Sequence, residues 1–310
     1  MTSPALIKDL FRHAADGNIN AFKNTAKTGC VDIHKRDERD HGKTCLLKTA
    51  YRGHLGMMQL LLEEFQASLY DQDHAGNNAV LLASAGGHPS VLKYLTDECG
   101  LSIQVRNLAG DTCLIGAAQK GKIEVIRLLI NEYGFDVNDQ NESGNSALHI
   151  ACIWGQTTAV KILVKEFRAN PSLVNNNGAT PLILAAEMGH SEIVQLLCKQ
   201  FKVKSNQVNS YGETPLMLAC WNGHLETART LIKDVNADLE LKDNSGWTAL
   251  MFAVAIGKVD IVTLLLKSGA QVNQINKYGH SVLEMANNCS RDEIAKLLKK
   301  KGAKTVLASS

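Results

Sequence analysis

Glycine recurs along this chain with a fixed period, and that regularity restricts the fold more than any other feature. A first series stands at Gly42, Gly76, Gly110, Gly144, Gly178, Gly212, Gly246 and Gly279, at intervals of 34 residues and finally 33. A second series follows eleven residues behind, at Gly53, Gly87, Gly121, Gly155, Gly189, Gly223 and Gly257. Two series locked in phase mark one structural unit repeated along the chain, so 310 residues need not mean two globular domains.

Each repeat position has a physical reading. Two residues after the first-series glycines come Thr44, Asn78, Thr112, Ser146, Thr180, Thr214, Thr248 and Ser281, all side chains that cap helix N-termini. Pro181 and Pro215 follow at the first helical position, where a missing N–H costs nothing. Small residues such as Ala83, Ala117, Ala185 and Ala219 let neighbouring helices approach. The second-series glycine then ends a short helix in the left-handed conformation. A second helix follows, with apolar residues at helical spacing, as in Ile193, Val194, Leu196 and Leu197. A polar stretch such as Asp136–Asn141 turns the chain back. Such a helix pair cannot bury its own apolar face, so neighbours must stack.

These residues resemble the ankyrin repeat. Its Thr-Pro-Leu-His-x-Ala signature is met in part by Thr180-Pro181-Leu182, Thr214-Pro215-Leu216 and Leu148-His149-Ile150-Ala151. The Gly-His pairs at 53–54, 87–88, 189–190 and 223–224 look like the family's inter-helix turn. The resemblance spans roughly residues 5–303 and implies an all-α helix-turn-helix solenoid with hairpin-like inter-repeat turns. It divides the chain into an N-terminal capping repeat (1–40), seven interior repeats of about 34 residues (41–276), a C-terminal capping repeat (277–303) and a disordered tail (304–310). The departure is the 34-residue period, one more than the usual 33. Comparing Leu128–Asn138 with Leu264–Asn273 puts the extra residue at the end of the second helix, which is expected to lengthen or bulge there.

Composition narrows the function classes. Lys and Arg number 33 against 31 Asp and Glu, a near-balance that points away from nucleic acid as a partner. No apolar run reaches the 18 or more residues of a spanning helix, and the start lacks a secretory signal's apolar stretch. Of eight cysteines, Cys45 and Cys113, and Cys152 and Cys220, recur at twice the repeat length. They read as free, mostly buried thiols in a reducing compartment, hence a cytoplasmic protein. Five of the ten histidines, His54, His88, His149, His190 and His224, occupy repeat positions and are expected to be structural. No nucleophile elbow, phosphate loop, dinucleotide fingerprint or zinc spacing occurs. Neither catalysis, a cofactor nor a metal is expected. The mixed charge run His34–His41 reads as a solvated loop, and Lys299, Lys300 and Lys301 as a solubilising cap end.

The ankyrin resemblance implies a concave face made of hairpin tips and the C-terminal ends of the first helices. These positions give Tyr51 and Arg52, then Lys120, then Ile153 and Trp154, Met188, Trp221 and Ile256, while the tips add Tyr211, Trp247 and Tyr278. All three tryptophans fall on this surface although aromatics make up only 5% of the chain. That concentration suits interface anchors, with packing of the rings between repeats as the competing reading. The expected partner is another protein, contributing a helix or extended segment to an apolar groove from Ile153 to Ile256. Arg52, Lys43 and Lys120 would receive acidic residues at its end. By itself the protein is expected to be monomeric. The leading function is an adaptor, scaffold or inhibitor. The alternatives are a substrate-recognition or regulatory subunit of an enzyme complex, or an effector delivered by an intracellular bacterium.

Overall fold

A computed structural model of the chain describes residues 4–28 and 32–305. The architecture is all-α and repetitive: 18 α-helices and no strand occur among the described residues. Two compact units are distinguished. One comprises the described residues up to Ala151 with Lys165–Arg168, and the other Cys152–Val164 with the residues from Ala169 onward. Each is a solenoid of stacked helix pairs.

In the first unit the pairs are α1 (Pro4–Ala15) with α2 (Ile19–Thr28), α3 (Cys45–Arg52) with α4 (Leu55–Glu63), α5 (Ala79–Gly86) with α6 (Pro89–Lys93), and α7 (Cys113–Gln119) with α8 (Ile123–Asn131). First helices form one row, α1 against α3 against α5 against α7, and second helices another. Next come α9 (Ala147–Ile153) and α10 (Thr157–Lys165). The second unit repeats the two-row scheme with α11 (Pro181–Glu187), α13 (Pro215–Asn222), α15 (Ala249–Ile256) and α17 (Val282–Asn288) as first helices. Its second helices are α12 (Ser191–Gln195), α14 (Leu225–Arg229), α16 (Val259–Lys267) and α18 (Asp292–Lys300).

The capping residues act as the sequence implies. Thr44, Thr112, Thr180, Thr214, Thr248 and Ser281 each accept, through the side-chain oxygen, a backbone N–H three residues on. The alanines at the repeat position, Ala83, Ala117, Ala151, Ala185, Ala219, Ala253 and Ala286, are wholly buried, so adjacent helices approach closely there. Around them Leu46, Leu114, Leu182, Leu216 and Leu250 are excluded from water, each contributing roughly 1.5–3 kcal/mol.

The Gly-His turns lock one repeat to the next. His190 lies against Gly155, where a Cβ would sit 2.7 Å from the imidazole, and its Nε2 donates to the Ile153 carbonyl at 3.0 Å. His54, His88 and His224 donate in the same way to the carbonyls of Ala15, Tyr51 and Glu187 at 2.9–3.0 Å. Each acceptor lies at the C-terminal end of a first helix, where the last carbonyls lack intrahelical partners. His149 is fully buried, and its Nδ1 meets the Ser146 hydroxyl at 2.9 Å and backbone N–H at 3.2 Å. All five histidines at repeat positions are structural.

The extra residue of the 34-residue period lies at the end of the second helix. There the N–H groups of Ala67, Leu101, Phe135, Val203 and Ala237 reach back six residues, to the carbonyls of Leu61, Leu95, Leu129, Leu197 and Leu231. In the 33-residue repeats Ala270 and Ala303 reach back only five, to Leu265 and Leu298, the span of an ordinary Schellman closure. Three second helices end in a full π turn, Tyr94–Glu98, Leu196–Gln200 and Thr230–Asp234. A π turn accommodates one residue without extending the helix rod. The closure needs a left-handed residue just before its end. That position is Gly100, Gly134, Gly269 and Gly302 in some repeats but Gln66, Arg168, Lys202 and Asn236 in others.

Left-handed backbone costs a side-chain-bearing residue about 1–2 kcal/mol. Gln66 and Lys202 are exposed, and neither makes a hydrogen bond or ion pair among the described residues. Gln66→Gly and Lys202→Gly should therefore each stabilise the protein, by about 0.5–1 kcal/mol after the added unfolded-state entropy of glycine. Urea denaturation of each variant checks this, and a lowered midpoint would contradict it.

Candidate partner-binding surface

In the second unit, hairpins and first-helix ends present a continuous set of large side chains on one face. An asparagine or aspartate fixes every hairpin there. Asn209 Oδ1 accepts from the N–H groups of Tyr211 (2.9 Å) and Glu213 (3.0 Å), and Asp243 Oδ1 from those of Ser245 (2.8 Å) and Trp247 (2.7 Å). Asn276 does the same for Tyr278 and His280. Successive tips are joined by backbone bonds, Ser210 N–H to the Asn177 carbonyl and Asn244 N–H to the Tyr211 carbonyl. The tip aromatics thus project from backbone held at both ends.

Trp154 is 51% exposed, Met188 and Trp221 43%, Tyr211 62% and Tyr278 68%. These five face solvent although each is large and apolar in most of its surface. The other predicted residues of this face are partly engaged in packing. Ile153 lies against the cluster of Ala179, Ile183, Leu184 and Leu218. Ile256 is half-buried. Trp247, also half-buried, has its ring 5.2 Å from that of Phe252, and Trp221 meets the same ring edge-on at 5.7 Å. Phe252 is the platform of the aromatic shelf; itself buried, it offers no surface and was not among the residues singled out from sequence.

One repeat before that shelf lies an acidic rung, also missed from sequence. Glu187 is half-buried, and burial, together with the nearby Glu213 carboxylate, raises its pKa. Glu213 accepts from Asn209 Nδ2 at 2.7 Å. Among the described residues neither glutamate forms an ion pair.

The first unit has a different surface at the equivalent positions. A cavity of about 400 Å³ is lined by Lys43, Tyr51, Asp73, Ala85, Asp111 and Lys120 among others. Ala85 and Gly116 in its lining leave this space open, where Glu187 and Trp221, and Leu184, Leu218 and Phe252, stand at equivalent positions of the second unit. Tyr51 and Lys120 are thereby brought together, while Arg52 is exposed on the helix end beside them. Lys43 is committed within the protein: its ammonium lies 2.8 Å from Asp40 and 5.4 Å from the Tyr51 ring centre.

The charge run His34–His41 is more than the solvated loop expected of it. Lys48 is buried on α3 and pairs with Asp37 at 3.0 Å and with Asp40. Burial disfavours ionisation of Asp40, yet hydrogen bonds from Lys43 and Lys48 outweigh it and hold the carboxyl at about 2. A carboxyl whose pKa is depressed below its ordinary 3.8 contributes stability above that value and loses it as pH falls toward 2. Asp40→Asn should lower the melting temperature at pH 7, and the gap to wild type should narrow between pH 4 and 2. Thermal scans across that range test this; a gap independent of pH would refute it.

Seven cysteines of the described residues are free, and Cys30 lies outside them. Burial pushes the thiols of Cys45 and Cys113 up to about 12 and that of Cys198 to about 11, and raises those of Cys152 and Cys220 as well. No group of three or more His, Cys, Asp or Glu among the described residues is arranged to hold a metal ion. No helix among them is long and apolar enough to cross a membrane. Of the tail assigned from sequence, residues 306–310 lie outside the described residues.

A family model for ankyrin repeats, built of three copies, matches residues 10–107, 99–175, 163–243 and 235–308. The chain belongs to the ankyrin-repeat family, whose members are in general protein–protein interaction modules and typically not catalysts. No curated protein matches the chain.

Proposed function

We propose that this protein is a non-catalytic interaction module, an adaptor, scaffold or inhibitor, that holds a helix or extended segment of another protein on the concave face of its second unit. The observation that carries the reading is the solvent-facing set of Trp154, Met188, Tyr211, Trp221 and Tyr278 on one face of backbone fixed by hydrogen bonds. Exposed rings of this size lower solubility and serve as anchors when a partner covers them. Their attachment to a rigid frame lowers the entropy lost on docking. The free, largely buried thiols support a reducing compartment such as the cytoplasm.

Trp154→Ala combined with Trp221→Ala tests the proposal. Both rings are substantially exposed, so circular dichroism should match wild type. Proteins captured from lysate by wild type should be lost by the variant, by about tenfold or more for a hot-spot pair. Equal capture by both baits would exclude this face as the docking surface.

A further inference from the structure

The hairpin face of the second unit is built in rungs. The residue two before the second glycine of one repeat and the residue before the helix cap of the next share one neighbourhood. Ile153 packs against the cluster that contains Ala179, the Glu213 charge is felt at Glu187, and Trp221 and Trp247 share Phe252. The acidic rung therefore precedes the aromatic rung by one repeat.

The two rungs differ in how they are satisfied. The aromatic rung is packed on one side and open on the other. The acidic rung carries like charges close together, one of them half-buried, with no ion pair to either among the described residues. A cation brought to it would relieve the repulsion and gain in a partly desolvated setting.

We infer that the second unit binds an extended protein segment whose Arg or Lys pairs with Glu187 and Glu213 and whose apolar or aromatic side chain rests on Trp221 and Trp247, the rings that Phe252 supports from below. This rests on the docking reading above and adds the chemistry of the partner. Charge complementarity chooses the occupant: an acidic segment would add a third negative charge to the rung. The rung spacing sets its register. Neighbouring packed helices lie about 8–10 Å apart, and an extended chain advances about 3.3 Å per residue. The basic and apolar residues are therefore about three positions apart.

The test uses the full chain and random twelve-residue peptides displayed on phage. Wild type should enrich peptides with Arg or Lys about three positions from Trp, Phe, Leu or Met. Synthetic versions of enriched peptides should bind the Glu187→Gln/Glu213→Gln protein about tenfold more weakly by fluorescence anisotropy. Peptides with that Arg replaced by Gln should bind both proteins alike. Each single glutamine variant is measured beside the double one, with circular dichroism on all, so that a folding defect in one does not decide the result. Enrichment of acidic peptides, or equal affinity of wild type and the glutamine variants for the basic peptide, would overturn the inference while leaving the docking face standing. If Trp154→Ala/Trp221→Ala selects the same peptides as wild type, or wild type enriches none, the docking reading itself falls and the inference with it.

Discussion

Within each unit, an imidazole laid across the preceding repeat's glycine donates to a carbonyl that its own helix has left unpaired. Two requirements meet in that contact. The glycine must adopt positive φ to end the first helix, and the same missing Cβ leaves room for the ring, as at Gly155 beneath His190. The bond satisfies an orphan acceptor and fixes how far one repeat is displaced from the next. Where no histidine is available, the aliphatic stems of Lys122 and Lys258 cover Gly87 and Gly223, and the Arg291 guanidinium covers Gly257. At the other end of the repeat, hairpin-to-hairpin backbone bonds repeat the constraint. A repeat held at both ends has little freedom to rotate, so equivalent positions fall into line as a face.

That alignment divides the sequence into committed and uncommitted positions. Glycines, capping threonines and packed alanines are committed, since each change opens a cavity or strands a backbone group. The exposed helix-end and hairpin-tip side chains, such as Trp154, Met188 and Tyr211, carry no such duty. Lys48 shows what a departure inside the frame entails. Its equivalents Leu82, Leu184, Leu218 and Phe252 are buried and apolar. A buried ammonium there requires Asp37 and Asp40 around it, and the first hairpin supplies both.

The repeat architecture was legible in the sequence because its strongest constraints fall on residues of one kind. Two glycine series, the capping threonines and the Gly-His turns each have one physical solution, and their spacing exposes them. The third left-handed position was hidden, since Gln66, Arg168, Lys202 and Asn236 occupy it as often as glycine does. Only the count of 34 against 33 betrayed the closure it belongs to. On the surface, periodicity was enough to place the tryptophans, because ring size and position alone made them conspicuous. Phe252 was obscured as one more core residue. Glu187 and Glu213 stand 26 positions apart, and pairing them needs the knowledge that a helix end faces the next hairpin.

The extra residue leaves this face undisturbed, for a local reason. It enters the closing turn of the second helix, before the asparagine or aspartate that begins the next hairpin. From that residue onward, 34- and 33-residue repeats are alike: Asp243 accepts from the N–H groups two and four positions on, and so does Asn276. Repeat length can therefore vary at the helix end without moving the hairpin side chains relative to their own caps. The rungs become interchangeable in geometry and free in chemistry, which is how one frame carries Ile153 against the cluster that contains Ala179, paired glutamates, and tryptophans on a shared phenylalanine in consecutive repeats. Recognition on such a face is written in the order of its rungs, because a partner must match several at the spacing the frame imposes.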